Sequence, residues 1–259
     1  MTERTAVLAT PPAVRGTTFL QRVRAEALPT RFSWYARDWV ALLAVPAIFI
    51  GGWLVMAATE DRATIAISDT IVRIMLFTAL VVANRSLLAR HWRRFWAAPW
   101  RSAGVVVAGL IVVQVIVSVV KAALRPFVDH GVADGQGSEQ PLAIGILFFA
   151  SLNPVVTALI EDFTFRHTLL LKFPIWNRYT LAASLTVLNA LVFGAIHIGN
   201  FEGQWLLTLS YAGAGLLMNL VYLWTRNIWH VLLMHGLNNF ILGGPVTVLL
   251  AHMLGAVMG

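Results

Sequence analysis

The stretch Trp39–Ala58, WVALLAVPAIFIGGWLVMAA, runs for twenty residues without a charge. At 1.5 Å of rise per residue a helix of that length reaches about 30 Å, the thickness of a bilayer's hydrocarbon core. The whole chain reads the same way. Of its 259 residues 58% are hydrophobic and only 12% charged, about half the charge of an ordinary soluble domain. The composition points to an all-α, polytopic bundle of membrane-spanning helices and argues against a soluble fold. There is no cysteine, which excludes disulfides, thiolate metal sites and a cysteine nucleophile.

Working outward from Trp39–Ala58, hydrophobic runs predict further spans at Thr70–Asn84, Ser102–Val120, Leu142 to about Leu171, Leu181–Ile198, Trp205–Trp224, Ile228–Leu242 and Pro245–Met258. Eight spans are expected over residues 39–259. The stretch 1–38 is read as a cytoplasmic or interfacial arm, because the first long apolar run starts too late for a signal peptide.

Basic residues orient the bundle. Arg4, Arg15, Arg22, Arg24, Arg31 and Arg37 precede the first span; Arg85, Arg90, Arg93, Arg94 and Arg101 follow the second. Lys172, Arg178 and Arg226 fall on the same side, and Arg62, Lys121 and Arg125 on the other. Both termini are therefore expected in the cytoplasm. LLARHWRRFWAAPW, Leu87–Trp100, interleaves arginine with Trp92, Trp96 and Trp100. Between two spans that mixture suits the headgroup region rather than nucleic acid. The polar, glycine-rich Asp129–Gln140 reads as an external loop. An arginine-rich, lysine-poor composition with abundant alanine, valine and glycine suggests a high-GC bacterial genome, hence a bacterial cytoplasmic membrane.

Two adjacent carboxylates, Glu161 and Asp162, interrupt the fourth run in ALIEDFTFRHTLLL, Ala158–Leu171. No other acidic residue is expected inside a span. Charges at that depth are costly and mark functional sites. Asp162 and Arg166, four residues apart with the acid first, form a favourable helical ion pair; Glu161, about 100° around the helix, has no such partner. In FGAIHIGN, Phe193 and His197 share a helix face, and in HVLLMHGLNN so do His235 and Asn239. His91, His130, His167, His230 and His252 are read as structural. Jointly the three clusters supply a carboxylate, two imidazoles and a carboxamide, an inventory suited to amide hydrolysis. Glu161, His197 and His235 also make up a two-histidine, one-carboxylate set that would suit a divalent metal such as zinc, although no HExxH is present.

Taken together, Glu161-Asp162-xxx-Arg166, Phe193-xxx-His197 and His235-xxx-Asn239 resemble the EExxxR, FxxxH and HxxxN motifs of the CAAX-protease and bacteriocin-processing (CPBP, Abi) membrane proteases. That family includes the type II CAAX prenyl endopeptidases and lysostaphin-resistance-protein-A-like proteins. The resemblance covers residues 142–242. It implies that Glu161 is the essential carboxylate, that His197 works with it on the water, and that His235 and Asn239 hold the oxyanion. Asp162, Arg166 and Phe193 would support them. The implied partner is a membrane-associated peptide or protein, cleaved in a polar cavity expected to open towards the cytoplasm. Aspartate at 162 departs from the family's second glutamate. That departure motivates an alternative, a non-catalytic membrane scaffold on the same fold; a transporter is disfavoured because no inverted halves are visible.

Overall fold

The computed structural model describes residues 21, 23, 28–128 and 142–258. The arm 1–38 is thus described only in part, and His130 and the Asp129–Gln140 stretch lie outside the described residues. Every regular element among the described residues is helical. In order these are α1 (Ala36–Ala58), α2 (Arg62–Ala83), α3 (Arg85–Trp96), α4 (Pro99–Leu124), α5 (Ile144–Ala150), α6 (Leu152–Asp162), a π-helical segment (Phe163–Leu169), α7 (Tyr179–Ala195), α8 (Thr208–Thr225), α9 (Ile228–Leu242) and α10 (Pro245–Met258). Among the described residues six helical stretches are long and apolar enough to cross a bilayer, the last running from Ile228 to Gly255 across the α9–α10 junction. The shorter α7 is apolar as well. Large apolar side chains such as Trp53, Met75, Val107 and Val119 lie on the outside, as lipid-facing residues do.

Local chemistry explains the elements. The span α2 starts eight residues before the predicted Thr70, because Asp61 caps it by accepting from the Thr64 N–H at 2.8 Å. That earlier start puts Asp69 inside the span and corrects the expectation that Glu161 and Asp162 are the only carboxylates there. Asp69 pairs with Arg73 at 3.0 Å, four residues on. The fourth run is not one helix to Leu171. It breaks at Ser151 between α5 and α6, where Pro154 removes the N–H that the Ala150 carbonyl would have received.

Helix α3 is amphipathic: Leu87, Leu88 and Phe95 face inward, while Arg90, Arg93 and Arg94 are exposed. The Trp229 indole donates to the Leu88 carbonyl, the Asn227 amide to the His91 carbonyl, and His91 Nδ1 accepts the Ile228 N–H. These bonds hold the start of α9 against α3.

One end of the bundle gathers the starts of α1, α4, α7 and α9 with α3 and the Leu171–Arg178 connection. Lys172 ties that connection to α1 through the Asp38 carboxylate and the Ser33 carbonyl. The other end gathers the starts of α2, α5 and α8 with the ends of α4, α7 and α9, and there Lys121 lies 5.0 Å from the Phe201 ring.

The pair α7–α8 is packed closely through small residues. A Cβ added at Gly194 would lie 2.6 Å from the Thr208 carbonyl and 2.8 Å from Ala212 Cβ; at Gly104 it would meet nothing within 4 Å. Gly194→Ala is expected to cost about 1–3 kcal/mol through overpacking, seen as a lower unfolding temperature in detergent, with Gly104→Ala unchanged. An equal effect of the two would refute this packing. A second expectation concerns acid. Burial first, then the neighbouring positive charges, pull His91 from 6.5 down to about 3. The unfolded chain therefore binds this proton first. The stability that neutral His91 contributes is complete above about pH 6.5 and is lost as pH falls towards 3. In denaturation between those values His91→Gln should show a shallower acid loss than the wild type, and parallel curves would refute the assignment.

Candidate active site

Glu161 stands on the last turn of α6, and His197 two residues beyond α7. If the chain reversed at Pro174, equal helical rise would leave the two at different heights, about 20 Å and 35 Å from the turn. The reversal is not a point. Leu170–Arg178 forms a string of turns and bends before α7 begins at Tyr179. His197 Nε2 lies 3.6 Å from Glu161 Oε1, with the Glu161 side chain only 6% exposed.

The imidazole of His197 is held from behind. Its Nδ1 lies 2.7 Å from the Phe193 carbonyl. A carbonyl only accepts, so Nδ1 carries the proton, and in the neutral ring Nε2 is the basic nitrogen turned towards Glu161. Phe193 itself sits among four groups. Its ring is 4.9 Å from that of His197 and 5.8 Å from that of His235, edge-on to Phe165, with the Arg166 guanidinium 4.0 Å from its centroid.

Asp162 and Arg166 are fully buried and 3.4 Å apart, as their spacing predicts. A contact invisible in the sequence joins them: His235 Nδ1 is 3.5 Å from the same Asp162 oxygen. Asp162 therefore touches the Arg166 and His235 side chains, while Glu161 faces His197.

Asn239 is fixed by a chain of carboxamides. Its Nδ2 donates to the Pro154 carbonyl at 2.9 Å, its Oδ1 accepts from Asn238 Nδ2 at 3.1 Å, and Asn238 Oδ1 accepts from Gln114 Nε2. The Pro154 carbonyl can only accept, so it dictates which way all three amides point. One Asn239 N–H remains unspent. Gln114, on α4, was missed from sequence because a lone glutamine in an apolar run carries no spacing signal.

These groups line one cavity of about 600 Å³, whose walls include Glu161, Phe193, His197, His235, Asn238 and Asn239. Arg73, Gln114 and Lys121 also face it. Arg73 is neutralised by Asp69 and donates to Thr157 Oγ1 at 2.6 Å, and Asn153 donates to the same Asp69. The signal for this pair was present: ISDTIVR repeats the acid-first spacing of Asp162 and Arg166. Of the histidines read as structural, His167 bonds the Tyr222 hydroxyl at 2.9 Å and His230 lies on Phe95, while His252 is exposed. No group of three or more His, Asp or Glu side chains among the described residues is disposed to hold a metal ion.

Residues 143–241 match the family described as Type II CAAX prenyl endopeptidase Rce1-like. The match spans less than half of the chain, and over that segment the chain is similar to the family. Comparison with curated proteins gives no match, nor does comparison with solved structures. The Rce1-like segment holds all four residues expected to be catalytic. The match to a membrane protease family and the apolar helices together fit an integral membrane protein. Gln114, Arg73 and Lys121 lie before the matched segment.

The amide chain can be tested without a substrate. In protein labelled with ¹⁵N-asparagine, the Asn239 side-chain NH₂ pair is identified by its loss in Asn239→Ala. It should shift and exchange faster in Gln114→Ala; an unmoved resonance would show that Gln114 does not orient it.

Proposed function

We propose that this protein is an intramembrane endopeptidase, hydrolysing a peptide bond near the membrane end of a membrane-associated peptide or protein. The observation that supports it best is the approach of Glu161 and His197. They come from separate helices, meet 3.6 Å apart, and share a cavity wall with His235 and Asn239.

A water held between Glu161 Oε1 and His197 Nε2 loses its proton to Glu161 as its oxygen attacks the scissile carbonyl carbon. The carbonyl becomes an oxyanion. The unspent N–H of Asn239 and the ring of His235 donate to it. Asp162 beside His235 Nδ1 provides an acceptor for the second ring proton when the imidazolium donates from Nε2. The C–N bond then breaks, and the proton taken by Glu161 passes to the leaving amine nitrogen. Asp162 acts on Arg166 and His235, away from the water, so the shorter side chain is compatible with the chemistry.

The experiment is cleavage of lipid-anchored peptides by purified protein, followed by mass spectrometry and starting from a farnesylated peptide with a CAAX end. Glu161→Gln and His197→Ala should each lower kcat by about 10²–10⁴, and Asn239→Ala by about 10²–10³, with membrane insertion unchanged. In this metal-free scheme a chelator should leave the rate unaltered. Equal product yield from wild type and Glu161→Gln would refute the protease reading and leave the scaffold alternative.

A further inference from the structure

The cavity is asymmetric along the bundle. Its deep wall is formed by Glu161, Phe193, Met218 and His235, all buried. Of its exposed lining residues, Asn200, Leu242 and Gly243 sit just past α7 and at the end of α9, at the end of the bundle that also holds Lys121 and Tyr211, while Phe49 lies on the side, within α1. Towards the opposite end there is no comparable rim among the described residues. Arg166, Phe163, Tyr222, Val231 and Ile228 are buried to 2% exposure or less and close that half.

The charges are asymmetric in the reverse sense. At the closed end lie Arg31, Arg37, Arg85, Arg90, Arg93, Arg94, Arg101, Lys172, Arg178 and Arg226; at the open end only Arg62, Lys121 and Arg125. Ten against three, in short connections next to the spans, is the bias that keeps a membrane protein's basic end in the cytoplasm. The open end carries Glu60, Asp61 and Glu202, and the sequence joining α4 to α5 adds Asp129, Asp134 and Glu139.

We propose that the cavity opens on the extracytoplasmic face and takes its substrate from that side. The substrate class is then the outer juxtamembrane stretch of an exported or membrane-anchored peptide. This deepens the protease reading and rests on it for the word substrate; the direction of opening does not. It reverses the sequence-based expectation of a cytoplasmic mouth, which placed the loops by charge but had no information on which end of the helices the polar residues approach. The four residues lie from mid-helix in α9 to just beyond the end of α7, so helix order alone cannot say which end is hollow.

A chain without cysteine suits single-cysteine labelling. Asn200→Cys and Leu242→Cys report the rim, Glu202→Cys the same end, and Arg93→Cys the basic end. Each is expressed in a bacterial inner membrane, its insertion checked by resistance to alkaline extraction, and treated with a membrane-impermeant maleimide on spheroplasts before and after lysis. The rim variants and Glu202→Cys should label fully before lysis, and Arg93→Cys only after. The reverse pattern, or labelling of both ends before lysis, overturns the proposal. Labelling needs no catalysis, so its failure leaves the protease reading standing, and a protein with inert Glu161 still reports its open face. For the substrate half, a lipid-anchored reporter that the purified enzyme cleaves should be cut when added outside right-side-out vesicles and spared when enclosed; the opposite result overturns it.

Discussion

The Asp162–Arg166 pair is the constraint on which the site depends. Both side chains are fully buried in an apolar bundle, where an unpaired charge costs several kcal/mol. Neither partner is satisfied by the other alone. Arg166 also lies over the Phe193 ring and 3.8 Å from Met218 Sδ, and Asp162 faces His235. One buried pair thereby ties α6 and the π-helical segment to α7, α8 and α9. Each tie lands on a residue of the site or beside one: Phe193 carries the carbonyl that holds His197, and His235 faces the cavity. Moving any of these helices would strip a buried charge of one of its partners. The wider π turn follows Asp162 directly, and such turns are often found at functional positions. Within it Thr164 donates to the Ala41 carbonyl of α1 at 2.6 Å, anchoring a fourth neighbour.

What the sequence reveals and what it hides follow from range. Pairs one helical turn apart were legible: Asp162 with Arg166, Phe193 with His197, His235 with Asn239. The spans were legible wherever twenty apolar residues run unbroken. The α2 start was hidden because Arg62 and Asp69 lower the local hydropathy, although Asp61 is a recognisable cap. The break at Ser151 had a signal in Pro154, three residues later. The contacts that assemble the site had none: Asp162 with His235 spans 73 residues, and Gln114 with Asn238 spans 124. A glutamine facing an asparagine from another helix leaves no periodic trace. It is found only when the helices are laid side by side.

The family match ends where much of the cavity wall begins. Residues 143–241 supply Glu161, His197, His235 and Asn239, while Val45, Arg73, Gln114 and Lys121 come from α1, α2 and α4. The chemistry and the shape of the space around it thus belong to different parts of the chain. Arg73 illustrates the division. It is held by Asp69 on its own helix and by Thr157 one turn before Glu161, so the pair braces α2 against the helix carrying the carboxylate.

This division also explains how so polar a site is tolerated in a bilayer. Polar and ionisable groups at membrane depth must be satisfied by protein or by water. In the closed half protein groups face them: Asp162 lies 3.4 Å from Arg166, and Asn189 and Asn219 donate to the Phe165 and Thr186 carbonyls, although the Asp162 oxygens and Arg166 Nε form no hydrogen bond. In the open half Glu161 accepts no hydrogen bond from the described residues and faces a cavity large enough for many water molecules. A carboxylate kept free of protein donors but beside an imidazole is poorly placed for stability and well placed to receive a proton from water. The bundle places that acid between its packed and its hollow halves, one residue before the buried Asp162–Arg166 pair.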